Sequence, residues 1–258
     1  MDGIGVISDK PFGVEFKHVT FSYPNSSFAL RDISFRISAG ERVAIVGENG
    51  AGKSTIVKLL LRLHDVQSGE ILINGVNIND YNLFELRNAI GVAFQNTNIY
   101  AFSMDENIGL YDNSTEKAIA EAKKAFGLDL IVAKNGASND STLTREFDDN
   151  GIVLSGGEAQ KVAVARTTTK RFSLLMLDEP SAALDPMAEY NLNQSLFERS
   201  KETTTIMIAH RLSSVRNMDK ILVVNNGKLI ESGTHDELMK VQGLYSEMFL
   251  KQAENYQI

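Results

Sequence analysis

The segment Gly47-Glu48-Asn49-Gly50-Ala51-Gly52-Lys53-Ser54-Thr55 fits the spacing Gly-x-x-x-x-Gly-Lys-Ser/Thr, which suits the cradling of a phosphate chain. Glycines permit positive φ and close backbone approach, so successive amide N–H groups can converge on phosphate oxygens. Lys53 would reach the β- and γ-phosphates as a mobile point charge, and the Ser54 hydroxyl would ligate the Mg²⁺ that bridges them. Thr55 is placed to support the neighbouring phosphate. The ligand implied is a nucleoside triphosphate. Such a loop needs a carboxylate on the magnesium side. Leu174-Leu175-Met176-Leu177-Asp178-Glu179 supplies an apolar strand ending in two acids, similar to the Walker B element. Asp178 would hold Mg²⁺ directly or through water, and Glu179 would polarise the water that attacks the γ-phosphorus. Taken singly, the first segment also fits a glycine-rich turn before an ordinary helix, and the second a helix cap at a strand end. Their pairing favours the phosphate reading.

The elements that must position these residues are legible as hydrophobic patterns. Arg42-Val43-Ala44-Ile45-Val46 reads as a buried strand and Lys53-Ser54-Thr55-Ile56-Val57-Lys58-Leu59-Leu60-Leu61 as a helix, whose positive dipole end faces the phosphates. Residues 14–23 and 30–37 alternate apolar and polar side chains, as half-exposed antiparallel strands do. The runs 174–177 and 204–208 are apolar enough to be buried on both faces, and their alternation with helical segments predicts a three-layer α/β core. Between about residues 96 and 155 the strand signal fades, and Ser114-Thr115-Glu116-Lys117-Ala118-Ile119-Ala120-Glu121-Ala122 opens with capping candidates before an Ala/Lys/Glu-rich stretch. This predicts an inserted helical subdomain. Lys220-Ile221-Leu222-Val223-Val224, the turn Asn225-Asn226-Gly227 and Lys228-Leu229-Ile230 predict a hairpin, followed by helices over about 236–253.

Composition narrows the function classes. With 258 residues, 43% hydrophobic and 23% charged, the chain can bury a sizeable core. It has no run of the roughly 18 to 20 apolar residues that cross a bilayer, and Met1-Asp2-Gly3-Ile4-Gly5 is unlike a signal peptide. The absence of cysteine excludes disulfides and thiolate metal sites and agrees with a reducing cytoplasm. A net charge of −7 disfavours a broad nucleic-acid surface, which relies on a Lys/Arg field. No nucleic acid is expected as a partner.

A second anion site is suggested by Leu154-Ser155-Gly156-Gly157-Glu158, where Ser155 and the glycine amides open a predicted helix through Ala163-Val164-Ala165-Arg166. This segment resembles the signature of ATP-binding cassette (ABC) ATPases. The resemblance implies ATP and Mg²⁺ as ligands and a three-layer phosphate-loop (RecA-like) core with an antiparallel β subdomain and an inserted helical subdomain. It implies one ABC domain over residues 1–258: core and β subdomain at 14–95 and 162–233, the helical subdomain with its signature at 96–161, and C-terminal helices at 234–258. It also implies a head-to-tail dimer in which Ser155, Gly156 and Gly157 of one subunit cover the γ-phosphate held by Gly47, Asn49, Gly50, Ala51, Gly52, Lys53, Ser54 and Thr55 of the other. Further positions match in order. Tyr23 fits the aromatic residue that stacks on adenine, a contact on the order of 1–3 kcal/mol by analogy with base stacking. Gln95 fits the glutamine that senses Mg²⁺ and the attacking water, Asp185 the D-loop residue that crosses the dimer interface, and His210 the switch histidine that contacts the γ-phosphate. His18, His64 and His235 match no motif and read as structural or exposed.

Three stretches are similar to the exporter branch: residues 14–23, the run Ile99-Tyr100-Ala101-Phe102-Ser103-Met104-Asp105-Glu106-Asn107-Ile108, and residues 227–238. The middle one would help form a groove for a transmembrane coupling helix. Residues 144–151 only partly follow the exporter X-loop, with Asp148 where glycine and Asp149 where glutamate is usual. Glu158 and Lys161 replace the commoner glutamine and arginine. The expectation is therefore an ATPase subunit or excised domain that powers an exporter from the cytoplasmic face of the membrane, soluble by itself, paired with a second nucleotide-binding domain as homodimer or heterodimer. A soluble ABC ATPase acting on ribosomes or DNA, and an importer-type ATPase, are the alternatives.

Overall fold

The computed structural model describes residues 10–24, 28–111, 114–136, 138, 140–180, 187, 189, 190, 193, 194, 197 and 202–254. The chain divides into two units: residues 1–91, 172–178 and 202–258 in the first, residues 92–171 and 179–201 in the second.

In the first unit, the early alternation becomes strands β1 (Val14–Ser22) and β2 (Phe28–Ile37), paired antiparallel with Val14 opposite Ile37. Inward residues such as Val14, Phe16, Val19 and Ile33 are buried while their neighbours face solvent, as expected of a one-sided sheet. Strand β3 (Arg42–Val46) leads to helix α1 (Lys53–Leu60). The chain then returns through β4 (Ser68–Ile73) and β5 (Val76–Asn77), which complete a four-stranded sheet in the order β2-β1-β4-β5. The two added strands are short, and the half-exposed start of β4 weakens the alternation that would announce it from sequence. Helix α2 (Leu83–Asn88) is capped by Asn82 and runs into β6 (Ile90–Ala93), whose first two residues belong to this unit.

The second unit carries α3 (Met104–Ile108), α4 (Glu116–Phe126), α5 (Asp129–Lys134) and α6 (Gly156–Arg166). Thr115 caps α4, and Gly127 closes it in the left-handed conformation, so the capping candidate Thr115 and the glycine after the helix mark its two ends.

The first unit resumes with β7 (Leu174–Asp178), β8 (Thr204–Ile208), β9 (Lys220–Asn225) and β10 (Lys228–Gly233). The sheet order is β10-β9-β3-β8-β7-β6, and β9, β3, β8 and β7 run parallel. All residues of β7 and β8 are buried, which is why these strands read as continuous apolar runs. The hairpin to β10 turns through Asn226 and Gly227 at φ 49° and 74°, the positive-φ pair whose twist matches antiparallel strands. Two helices, His235–Val241 and Leu244–Glu254, follow. No helix among the described residues is long and apolar enough to cross a membrane.

Candidate functional site

Parallel strands in α/β sheets present ligand sites at their carboxyl ends. In the first unit β3 ends at Val46, β7 at Asp178 and β8 at Ile208, with Val46 beside Val223 and Asp178 beside Ile208 in the register. The glycine loop therefore leaves the sheet on the same side as Asp178. Its path depends on absent side chains: a Cβ at Gly47 would lie 1.9 Å from the Val224 carbonyl oxygen, and one at Gly52 2.4 Å from that of Ala29. Gly52, at φ 106°, caps α1 without any side-chain hydrogen bond, and its carbonyl accepts from the Thr55 amide at 3.1 Å.

The buried Lys53 folds its ammonium over the loop and donates to the carbonyls of Gly47 and Glu48, each at 2.9 Å. Ser54 Oγ donates to Asp178 Oδ1 at 3.2 Å. This hydroxyl and carboxylate offer two hard oxygen donors, the kind Mg²⁺ takes while keeping water and phosphate oxygens for its other positions. No cluster of three or more His, Cys, Asp or Glu side chains suited to a metal occurs among the described residues. The donor set thus fits a cation that arrives with its phosphates rather than one caged by protein. Asn49 and Gly50 are exposed on the loop, Ala51 is buried, and the buried Thr55 lies 3.3 Å from the Tyr23 hydroxyl. Tyr23 is held edge-on by Phe21 and by His64, with Lys58 Nζ 5.4 Å from its ring centre. His64, which matched no motif, packs on the aromatic side chain expected to meet adenine. His210 is exposed two residues beyond β8.

In the second unit Gln95 Nε2 donates to Glu179 Oε2 at 2.7 Å. Glu179 is buried and sits at φ 54°, a left-handed conformation that is uncommon for a residue with a side chain and concentrates at functional positions. Its carbonyl accepts a short hydrogen bond from the side chain of Gln160, a buried residue of α6. Gln160 escapes sequence reasoning because its partner is 19 residues away; a polar residue on the inward face of a helix was the available signal.

At the start of α6 Ser155 is exposed and forms a capping box. Its hydroxyl and its amide both donate to Glu158 Oε2 at 2.8 Å, and the amide holds the Glu158 carboxyl below its ordinary range. Gly156 and Gly157 occupy the first turn. Asn107 is a second hub: fully buried, it donates to the carbonyls of Tyr100, Phe102 and Ser103 and accepts from Arg166, whose guanidinium has its pKa lowered by burial. It fixes residues 100–103, where Tyr100 and Phe102 remain exposed. Asp185 lies outside the described residues.

In the first unit, then, Lys53 meets the Gly47 carbonyl, Ser54 meets Asp178 and Thr55 meets Tyr23; in the second, Gln95 meets Glu179.

Residues 30–182 match the ABC transporter family. The chain is 39% identical over 246 residues to a putative multidrug export ATP-binding/permease protein, YgaD, of Bacillus subtilis, covering 94% of this chain and 42% of that protein. It is 37% identical over 251 residues to the ATP-dependent lipid A-core flippase of Escherichia coli, covering 96% and 42% respectively. Among solved structures it is similar to a bacterial Atm1-family ABC exporter with ATP bound, at a TM-score of 0.90 and 36% identity, over 97% of this chain and 44% of that one. The chain spans less than half the length of these relatives.

Proposed function

The chain belongs to the ABC transporter family, and we propose that it is the ATP-hydrolysing nucleotide-binding domain that powers an exporter. The observation that carries the proposal is the contact of Ser54 with Asp178 beneath the Lys53 loop, at the carboxyl end of a parallel sheet. The family relationship fits it, since the relatives are export proteins at 37–39% identity.

The loop amides from Gly47 to Thr55 bind the phosphates, Lys53 leaves its loop carbonyls for the β- and γ-phosphates, and Tyr23 stacks on adenine. Ser54, Asp178 and Gln95 would hold Mg²⁺, which would supply positive charge to neutralise the phosphate oxygens. Glu179 accepts the proton of the attacking water as its oxygen bonds to the γ-phosphorus, and the bond to the β-phosphate oxygen breaks to release ADP. Gln95 engages one carboxylate oxygen of Glu179, and Gln160 engages its backbone carbonyl, so the base is aimed by two neutral amides. His210 contacts the γ-phosphate.

Ser155, Gly156 and Gly157 complete the site of a second nucleotide-binding domain, and Asp185 reaches across that interface. For this, Ser155 must turn its hydroxyl from Glu158 toward the phosphate, an exchange of one anionic acceptor for another. Transmembrane coupling helices meet the Tyr100–Phe102 surface at the cytoplasmic face of the membrane, and nucleic acid takes no part. The test is Lys53→Ala, expected to abolish ATP hydrolysis and weaken ATP binding. Hydrolysis at the original rate by this variant contradicts the proposal.

A further inference from the structure

His210 lies on a short connection between β8 and the 3₁₀ turn Leu212–Val215. Before it the Ala209 amide donates to the Ile45 carbonyl at 3.3 Å, and after it the Ser214 amide and hydroxyl donate to the Arg211 carbonyl at 3.2 and 2.7 Å. The final helix adds a further hold. Gln252 Nε2 donates to the His210 carbonyl at 2.7 Å, and Gln252 Oε1 accepts from the Leu212 amide at 2.9 Å. One side chain thus brackets Arg211 and pins the backbone on both sides of it. A primary amide carries a neutral donor and acceptor on one planar group, as this bracket requires.

The helix that carries Gln252 is itself anchored at its other end. The Glu231 carboxylate on β10 accepts from the amides of Leu244 and Tyr245, taking the place of a local cap. Tyr245 is fully buried, and its hydroxyl lies 2.8 Å from His235 Nδ1. Burial pushes the Tyr245 hydroxyl up to about 12, so it stays protonated across the neutral range. Tyr245 and Glu231 thus dock the start of the helix, and the half-buried Gln252 lies near its other end.

We propose that Gln252 is the positioning residue for His210, holding its backbone so that the imidazole meets the γ-phosphate. This rests on the function proposed above. It extends the nucleotide machinery to the C-terminal helix, 42 residues beyond His210.

Gln252→Ala and Gln252→Leu test it in the whole chain, the leucine variant keeping the packing of the side-chain stem. Two readouts are needed: hydrogen exchange at the Leu212 amide, and steady-state ATP hydrolysis split into kcat and KM. Loss of the bracket should speed Leu212 exchange about tenfold or more, and lower kcat about tenfold with KM for ATP within about twofold. Unchanged exchange at Leu212 in a folded variant overturns the proposal, as does an unchanged kcat. If the original protein hydrolyses no ATP, the nucleotide reading fails, and Leu212 exchange alone then decides whether Gln252 holds the loop.

Discussion

Glu179 combines burial, a left-handed backbone and two amide partners, the features that support its proposed role as the base. Glu179→Gln keeps the size and the hydrogen-bonding capacity of the side chain while removing its basicity. Hydrolysis should fall by about a hundredfold or more while ATP binding persists, as seen by nucleotide titration and single-turnover assay. Gly52→Ala acts on the cradle instead. It places a Cβ against the Ala29 carbonyl at a positive-φ position, so it should destabilise the fold by on the order of 1–3 kcal/mol in denaturant unfolding and lose ATP binding. At this scale the sequence was most informative where partners are neighbours in the chain. The phosphate loop and the acids ending β7 are contiguous motifs whose spacing encodes their geometry. Gln160 and Asn107 could not be read this way. Glu179 for Gln160 and Arg166 for Asn107 are partners brought to them by folding, across 19 and 59 residues of chain.

Elements set what those residues can do. Continuous apolar runs announced β7 and β8 because a parallel sheet is buried on both faces, whereas β4 and β5 went unread because their exposed ends blur the period. The Ser155-x-x-Glu158 spacing is legible as a capping box, so the structure adds to the anion-site expectation an internal carboxylate already bonded to Ser155. Gln160 on the same helix should act through Glu179: Gln160→Leu is expected to lower kcat about tenfold with ATP affinity preserved, by steady-state kinetics. The central sheet carries its own pH dependence. Arg42 on β3 forms a bidentate pair with Asp219 just before β9, and the guanidinium hydrogen bonds hold the Asp219 carboxyl below its ordinary range. Its folded pKa lies under the unfolded value of about 3.9, so the pair's stabilisation is complete above that pH and is lost as pH falls through the folded value. Both partners are partly exposed, and solvent screening limits the effect to about 1 kcal/mol. Denaturant unfolding of Asp219→Asn should be easier than that of the original at neutral pH, and the gap should close on acidification.

The whole molecule presents a phosphate loop and a signature helix in one chain, the halves that the proposed dimer would join into two shared sites. It spans less than half of its relatives' length. The proposed exporter would supply the membrane path, met at the exposed Tyr100 and Phe102 that Asn107 holds in place. Trans completion of a phosphoryl-transfer site is worth roughly 10³–10⁵ in rate in other systems, so a lone copy should turn over slowly. The most direct measurement is ATP hydrolysis per molecule as protein concentration is raised through the range where ATP drives dimer formation. A rate per molecule that climbs with concentration and levels off when dimers dominate is expected. A rate per molecule that stays constant across that range, or no hydrolysis at all, contradicts a site shared between two copies.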